Sequence, residues 1–138
     1  MKRTIRRALL PMGLLSLLAA GCGGSHRPSA TAAPPSSAGA QTIRLSADPS
    51  GDLRFTTDSL SAKAGKITIA MKNPSGTPHS IAIEGNGVDD HSPQSSVANG
   101  QTAMVTATLK PGTYTFYCPV DGHRQAGMTG TLTVRGRG

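Results

Sequence analysis

From Thr42 onward, apolar and polar residues alternate in short runs broken by Gly, Pro, Asn and Asp, and no run keeps a helical period for three turns. This pattern predicts strands over residues 42–47, 53–56, 59–62, 66–73, 80–84, 102–109, 113–118 and 130–135. Turns are expected at Asp48-Pro49-Ser50-Gly51, Ala64-Gly65, Pro74-Ser75-Gly76 and Lys110-Pro111-Gly112, where Gly and Pro supply the backbone angles. The polar stretch 85–100 is expected to be the one long loop, with room for a short helical turn. About eight short strands without a repeat or a helical crossover predict an all-β, antiparallel two-sheet β-sandwich.

Strand side chains alternate between faces, so a residue that shares the parity of a strand's apolar set points into the core. Ile67, Ile69 and Met71 form one inward set, and Ile81 and Ile83 form the next, with His79 in their parity. Tyr114 and Phe116 place Cys118 inward at the end of their strand. Leu132 and Val134 do the same for Met128, just before theirs. Met104 takes the outward parity of its strand, and His123 falls in a turn that the rule does not reach.

The first forty residues read differently. Basic Lys2, Arg3, Arg6 and Arg7 precede an apolar stretch over 8–20 that is short for a membrane span, and small residues run into Gly21-Cys22. Residues 1–21 are therefore expected to be an export signal. Leu18-Ala19-Ala20-Gly21-Cys22 resembles the lipobox of bacterial lipoproteins, with Ala19 where Leu is commoner. That resemblance implies lipidation of Cys22 and attachment to a membrane. Residues 22–41, rich in Ser, Ala, Pro and Gly, are expected to form a flexible linker, and 42–138 the folded domain.

Four of the fourteen basic residues lie in the signal, which leaves ten against seven acidic ones, a net +3. With so mild a balance and no basic run, a nucleic-acid partner is not expected. The sequence has two cysteines. If Cys22 carries lipid, Cys118 is a lone thiol in an oxidising compartment, and its neighbours must explain it.

Those neighbours are His123 and Met128, each separated from the last by four residues, with His79 arriving from a distant strand. Singly, each has a plain structural reading: a core histidine, a buried thiol, a thioether that fills a gap. Together, a thiolate and two imidazoles make a trigonal site for copper, and a weak thioether completes the donor set of a blue electron-transfer centre. Zinc fits less well, because Met is an unusual zinc ligand. His91, beside Asp89 and Asp90, reads as a solvated loop histidine, and His26 lies in the linker.

The run from Tyr117-Cys118-Pro119 through His123 to Gly127-Met128 resembles the copper loop of the cupredoxins. Asn73-Pro74 through Pro78-His79 is similar to the segment that brings that family's first histidine. The resemblance implies a Greek-key sandwich with a single copper ion at one end, held by His79, Cys118, His123 and Met128. It further implies a one-electron carrier rather than an enzyme, acting as a monomer on the extracytoplasmic side of the membrane between redox partner proteins. Two departures bear on the potential: Ser80 stands where the family often has Asn, and Pro119 has no N–H to offer the Cys118 sulfur. The competing expectation is a protein that stores or delivers copper without turning over electrons. A multicopper oxidase is disfavoured because the chain has no His-x-His pair, and a hydrolase because a metal-bound Cys-His pair leaves no free nucleophile.

Overall fold

The computed structural model describes residues 39–138, which belong to one compact unit. The expected signal, Cys22 and nearly all of the expected linker lie outside the described residues. Eight strands follow one another: β1 (Gln41–Ser46), β2 (Ser59–Lys63), β3 (Gly65–Lys72), β4 (Ala82–Gly85), β5 (Val88–His91), β6 (Thr102–Leu109), β7 (Gly112–Tyr117) and β8 (Thr129–Arg135). They form two sheets, β1-β3-β6 and β2-β8-β7-β4-β5. No helix occurs among the described residues, and none there is long and apolar enough to cross a membrane.

The chain is a Greek-key sandwich: β4 turns into β5, β6 crosses to the other sheet, and β7 returns to pair with β4. Four pairings are antiparallel, whereas β1 with β3 and β2 with β8 run parallel. The expectation of a wholly antiparallel sandwich is thus corrected. Successive strands β1, β2 and β3 alternate between the sheets, so each returns in the direction of a neighbour it did not directly follow.

The period-two pattern places the core. In β6, Ala103, Val105, Ala107 and Leu109 are buried, while Met104 stands 51% exposed on the other face. Ile67, Ile69 and Met71 meet them from β3, and Ile83, Phe116, Leu132 and Val134 face them from the larger sheet. Burying such side chains is the main source of stability, about 1.5–3 kcal/mol each. Gly130 is a packing requirement: a Cβ there would run into the Phe116 ring and stand 2.6 Å from the Asp58 carbonyl.

Two predicted elements differ. The strand expected over 53–56 is only a single bridge between Phe55 and Ala47, because Asp48 and Arg54 hold that segment as a side-chain-braced turn. Instead of a helical turn, the stretch 85–100 contains β5, which folds back on β4 through Asn86-Gly87 with φ of 50° and 80°. A two-residue Asn-Gly turn with both residues left-handed matches the twist of a hairpin, and it was visible in the sequence.

Candidate metal centre

Three segments meet at one end of the sandwich. The first runs from β3 to β4 and is built around buried Asn73. Its amide donates to the Thr77 carbonyl at 2.8 Å and the Val97 carbonyl at 2.9 Å, and its carbonyl oxygen accepts from the Ser75 N–H and hydroxyl, both at 2.9 Å. His79 then forms a bridge with Val97, exchanging N–H···O bonds of 3.3 and 2.8 Å. These bonds leave the His79 side chain buried at the head of β4, the orientation its parity predicts.

The second and third segments are the two ends of one loop. Cys118 follows β7, Met128 precedes β8, and the Cys118 N–H donates to the Met128 carbonyl at 3.0 Å. Within the loop the Met128 N–H donates to His123 at 3.0 Å and the His123 N–H to Val120 at 3.1 Å. Gly122 and Gly127 take φ of 77° and 105°, values that strain any residue with a Cβ. The side chains of Cys118 and Met128 are buried, and His123 is half-buried.

The donor atoms of His79, Cys118 and His123 all lie within 4.8 Å of one another. The two Nδ1 atoms are 3.2 Å apart, and the Cys118 sulfur is 3.5 Å from His123 Nδ1. Burial, followed by the charge of His123, pushes the His79 pKa down, which favours a neutral ring with a free lone pair. Burial pushes the Cys118 thiol up, opposed by the N–H groups of Ser80 and Val120. The Ser80 N–H lies 3.3 Å from the sulfur. Thus Ser80 braces the two ligand segments through its backbone, while its hydroxyl donates to the Gln94 carbonyl at 2.8 Å.

This donor set fits a soft cation. Two imidazole nitrogens and a sulfur converge in a buried space with no carboxylate among them, a combination that suits copper and not magnesium or calcium. His79 Nε2 is buried without a hydrogen-bond partner, so the outer support that a ligating histidine usually receives is missing there.

His91 stays outside this group. It is exposed on β5, with Nε2 3.0 Å from Asp89 Oδ1 and its ring edge against Tyr117. His26 lies outside the described residues. The sequence reading missed Asn73, Val97 and Gln94 as supports. Asn-Pro-Ser at 73–75 is a turn signature that pointed to the first, but Val97 and Gln94 are brought in only by tertiary folding.

A two-sheet Greek key with a His-Cys-His cluster at one end defines a cupredoxin. Residues 42–135 match the copper-binding proteins of the plastocyanin/azurin family, and the chain belongs to that family. It is 35% identical over 107 residues to a plastocyanin of Prochlorothrix hollandica, covering 74% of this chain and 78% of that protein. A plastocyanin of Dryopteris crassirhizoma is 33% identical over 101 residues, covering 64% of this chain and 94% of its own. Among solved structures, auracyanin A, a "blue" copper protein of Chloroflexus aurantiacus, superposes with a TM-score of 0.57 at 26% identity, over 70% of this chain and all of that one. The cofactor of this chain is a single copper ion.

Proposed function

We propose that the protein is a one-electron carrier in which His79, Cys118, His123 and Met128 hold the copper, working on the extracytoplasmic side of a membrane to which lipid on Cys22 tethers it. The observation that carries this reading is the convergence of two Nδ1 atoms and one sulfur in a buried space. When bound, copper supplies the Cu(I)/Cu(II) couple, which no protein side chain here offers. The chain's residues do the rest. Ser80 and Val120 direct N–H groups at the Cys118 sulfur and so favour its thiolate form. His79, Cys118 and Met128 are themselves buried, which keeps their donor atoms away from bulk water.

His123 is the candidate exit for the electron, because it alone of the four is part-exposed. Pro119 and Val120 are part-exposed and Ala126 is exposed, which leaves apolar surface around it for a redox partner. Copper delivery is less well supported. Met71 and Met128 are buried and Met104 stands alone on the β1-β3-β6 sheet, so the described residues offer no exposed thioether cluster from which to pass the metal on. The relatives' names, plastocyanin and auracyanin, favour electron transfer and not an enzyme.

The test is to add Cu(II) to the apoprotein and record the visible spectrum beside a Cys118→Ser control. An intense thiolate-to-copper band that bleaches reversibly on reduction, absent from the control, supports the reading. A colourless protein that retains Cu(I) favours delivery, and no copper binding sinks both.

A further inference from the structure

The loop that carries His123 is bonded mainly to itself. Ala126 donates to Gly122 at 3.1 Å and Gly127 to Arg124 at 3.0 Å, in addition to the bonds at its base. Leaving aside the candidate ligand atoms, one side-chain bond pair among the described residues ties residues 119–127 to another strand. Both outer nitrogens of the Arg124 guanidinium meet both carboxylate oxygens of Glu84 on β4, Nη1 to Oε2 at 2.9 Å and Nη2 to Oε1. The same guanidinium lies 4.1 Å from the centre of the Tyr117 ring, at the end of β7.

A guanidinium held in both ways is fixed in direction as well as distance, because the fork must align with the carboxylate while its plane covers the ring. Arg124 is the residue directly after His123. We infer that the Glu84–Arg124–Tyr117 clamp is a positioning device, which holds the His123 loop against β4 and β7 before any metal arrives. Glu84 and Tyr117 sit on paired strands, two residues apart in register and so on the same face, since Ala82 faces Tyr117 and Glu84 faces Thr115. The clamp therefore spans a rigid ladder. It spares copper part of the entropy of ordering its most exposed ligand, and a stiffer loop loses metal more slowly.

This inference rests on the copper reading only for its second measurement. The first is amide hydrogen exchange of apo wild type and apo Glu84→Gln at residues 123–127, with the amides of β3 and β6 as internal reference. Exchange at least about threefold faster in the loop, with the reference unchanged, is expected for the loss of a half-exposed bidentate pair. The second is the rate at which Cu(I) leaves each holoprotein for an excess of chelator, expected to rise about threefold as well. The double variant Glu84→Arg/Arg124→Glu should move both readings back toward wild type. Loop exchange accelerated less than threefold overturns the inference. So does accelerated exchange with unaltered copper release, because the clamp would then order the loop without positioning His123. Failure of wild type to bind copper would instead sink the proposed function and leave the exchange comparison intact.

Discussion

The His79 side of the centre is fastened to other parts of the fold, whereas the 118–128 side is fastened largely to itself. On the first side, Asn73 satisfies all four of its side-chain hydrogen-bonding positions, and two carbonyls, those of Val97 and Gln94, come from the long connection between β5 and β6. Asn73, Ser75, His79, Ser80 and Val97 are all buried, so the bonds they make would be costly to lose. On the second side, apart from the Arg124–Glu84 pair and the Ser80 N–H to Cys118, the bonds run within the loop, and the residues from Asp121 to Gly127 are exposed or half-buried. One wall of the site is thus part of the core, and the other is a short loop laid over it. An electron carrier needs both: a wall that does not relax when the charge of the ion changes, and a thin side through which a partner comes close.

This contrast can be broken most easily at Asn73. Replacing it with Ala removes four buried or part-buried bonds at once, leaving the Ser75 N–H without its acceptor and the Val97 and Thr77 carbonyls each short of one donor, and about 2–4 kcal/mol of folding stability is expected to disappear in a urea titration. A cost below 1 kcal/mol would mean that the first wall is no firmer than the loop. Ser80→Ala should cost less, about 1 kcal/mol, because it removes the bond to Gln94 while leaving the N–H to Cys118 in place. Its copper spectrum should remain close to wild type, and a large spectral shift would show that the hydroxyl, not the backbone, sets the sulfur environment.

The smallest effect concerns pH. Burial holds the His79 pKa below its ordinary value of 6.5, so below that pH the unfolded chain binds more protons than the folded one. The stability of the apoprotein is therefore complete above about pH 6.5 and declines as pH falls toward the lowered native value. Urea midpoints at pH 7.5 and 5.5 should separate in apo wild type and draw together in His79→Gln. Equal separations in the two would place the acid sensitivity elsewhere.

How much of this was legible depended on range. The limits of β6 and the inward parity of His79, Cys118 and Met128 follow from local alternation, and each side chain lies buried where that alternation directs it. Partner choice does not follow from alternation, because parallel and antiparallel neighbours satisfy the same period. The parallel pairing of β1 with β3 was for that reason invisible. Segment 53–56 misled because its apolar Leu53 and Phe55 look like a strand, while the Asp48 carboxylate captures Ser50 and Arg54 and turns the chain away. In β5, Asp89, Asp90 and His91 hide a strand behind polar residues, as suits an exposed sheet edge. At the site, residue types and spacing pointed to His79, Cys118 and His123, whose donor atoms the fold brings within 4.8 Å of one another. The supports that orient them lie far away in sequence, and nothing local marks Val97 or Gln94.

The bond from the Cys118 N–H to the Met128 carbonyl closes the loop at its base, in line with the ladder where Tyr117 already faces Thr129. Whatever happens between those two residues happens beyond the last rung of the sandwich. Natural selection could thus lengthen, shorten or redecorate the span from Pro119 to Gly127 without shifting the register of β7 on β8. The domain separates into an inherited frame and a replaceable cassette, so one scaffold can acquire a new partner or a new potential by revising a single short stretch of chain.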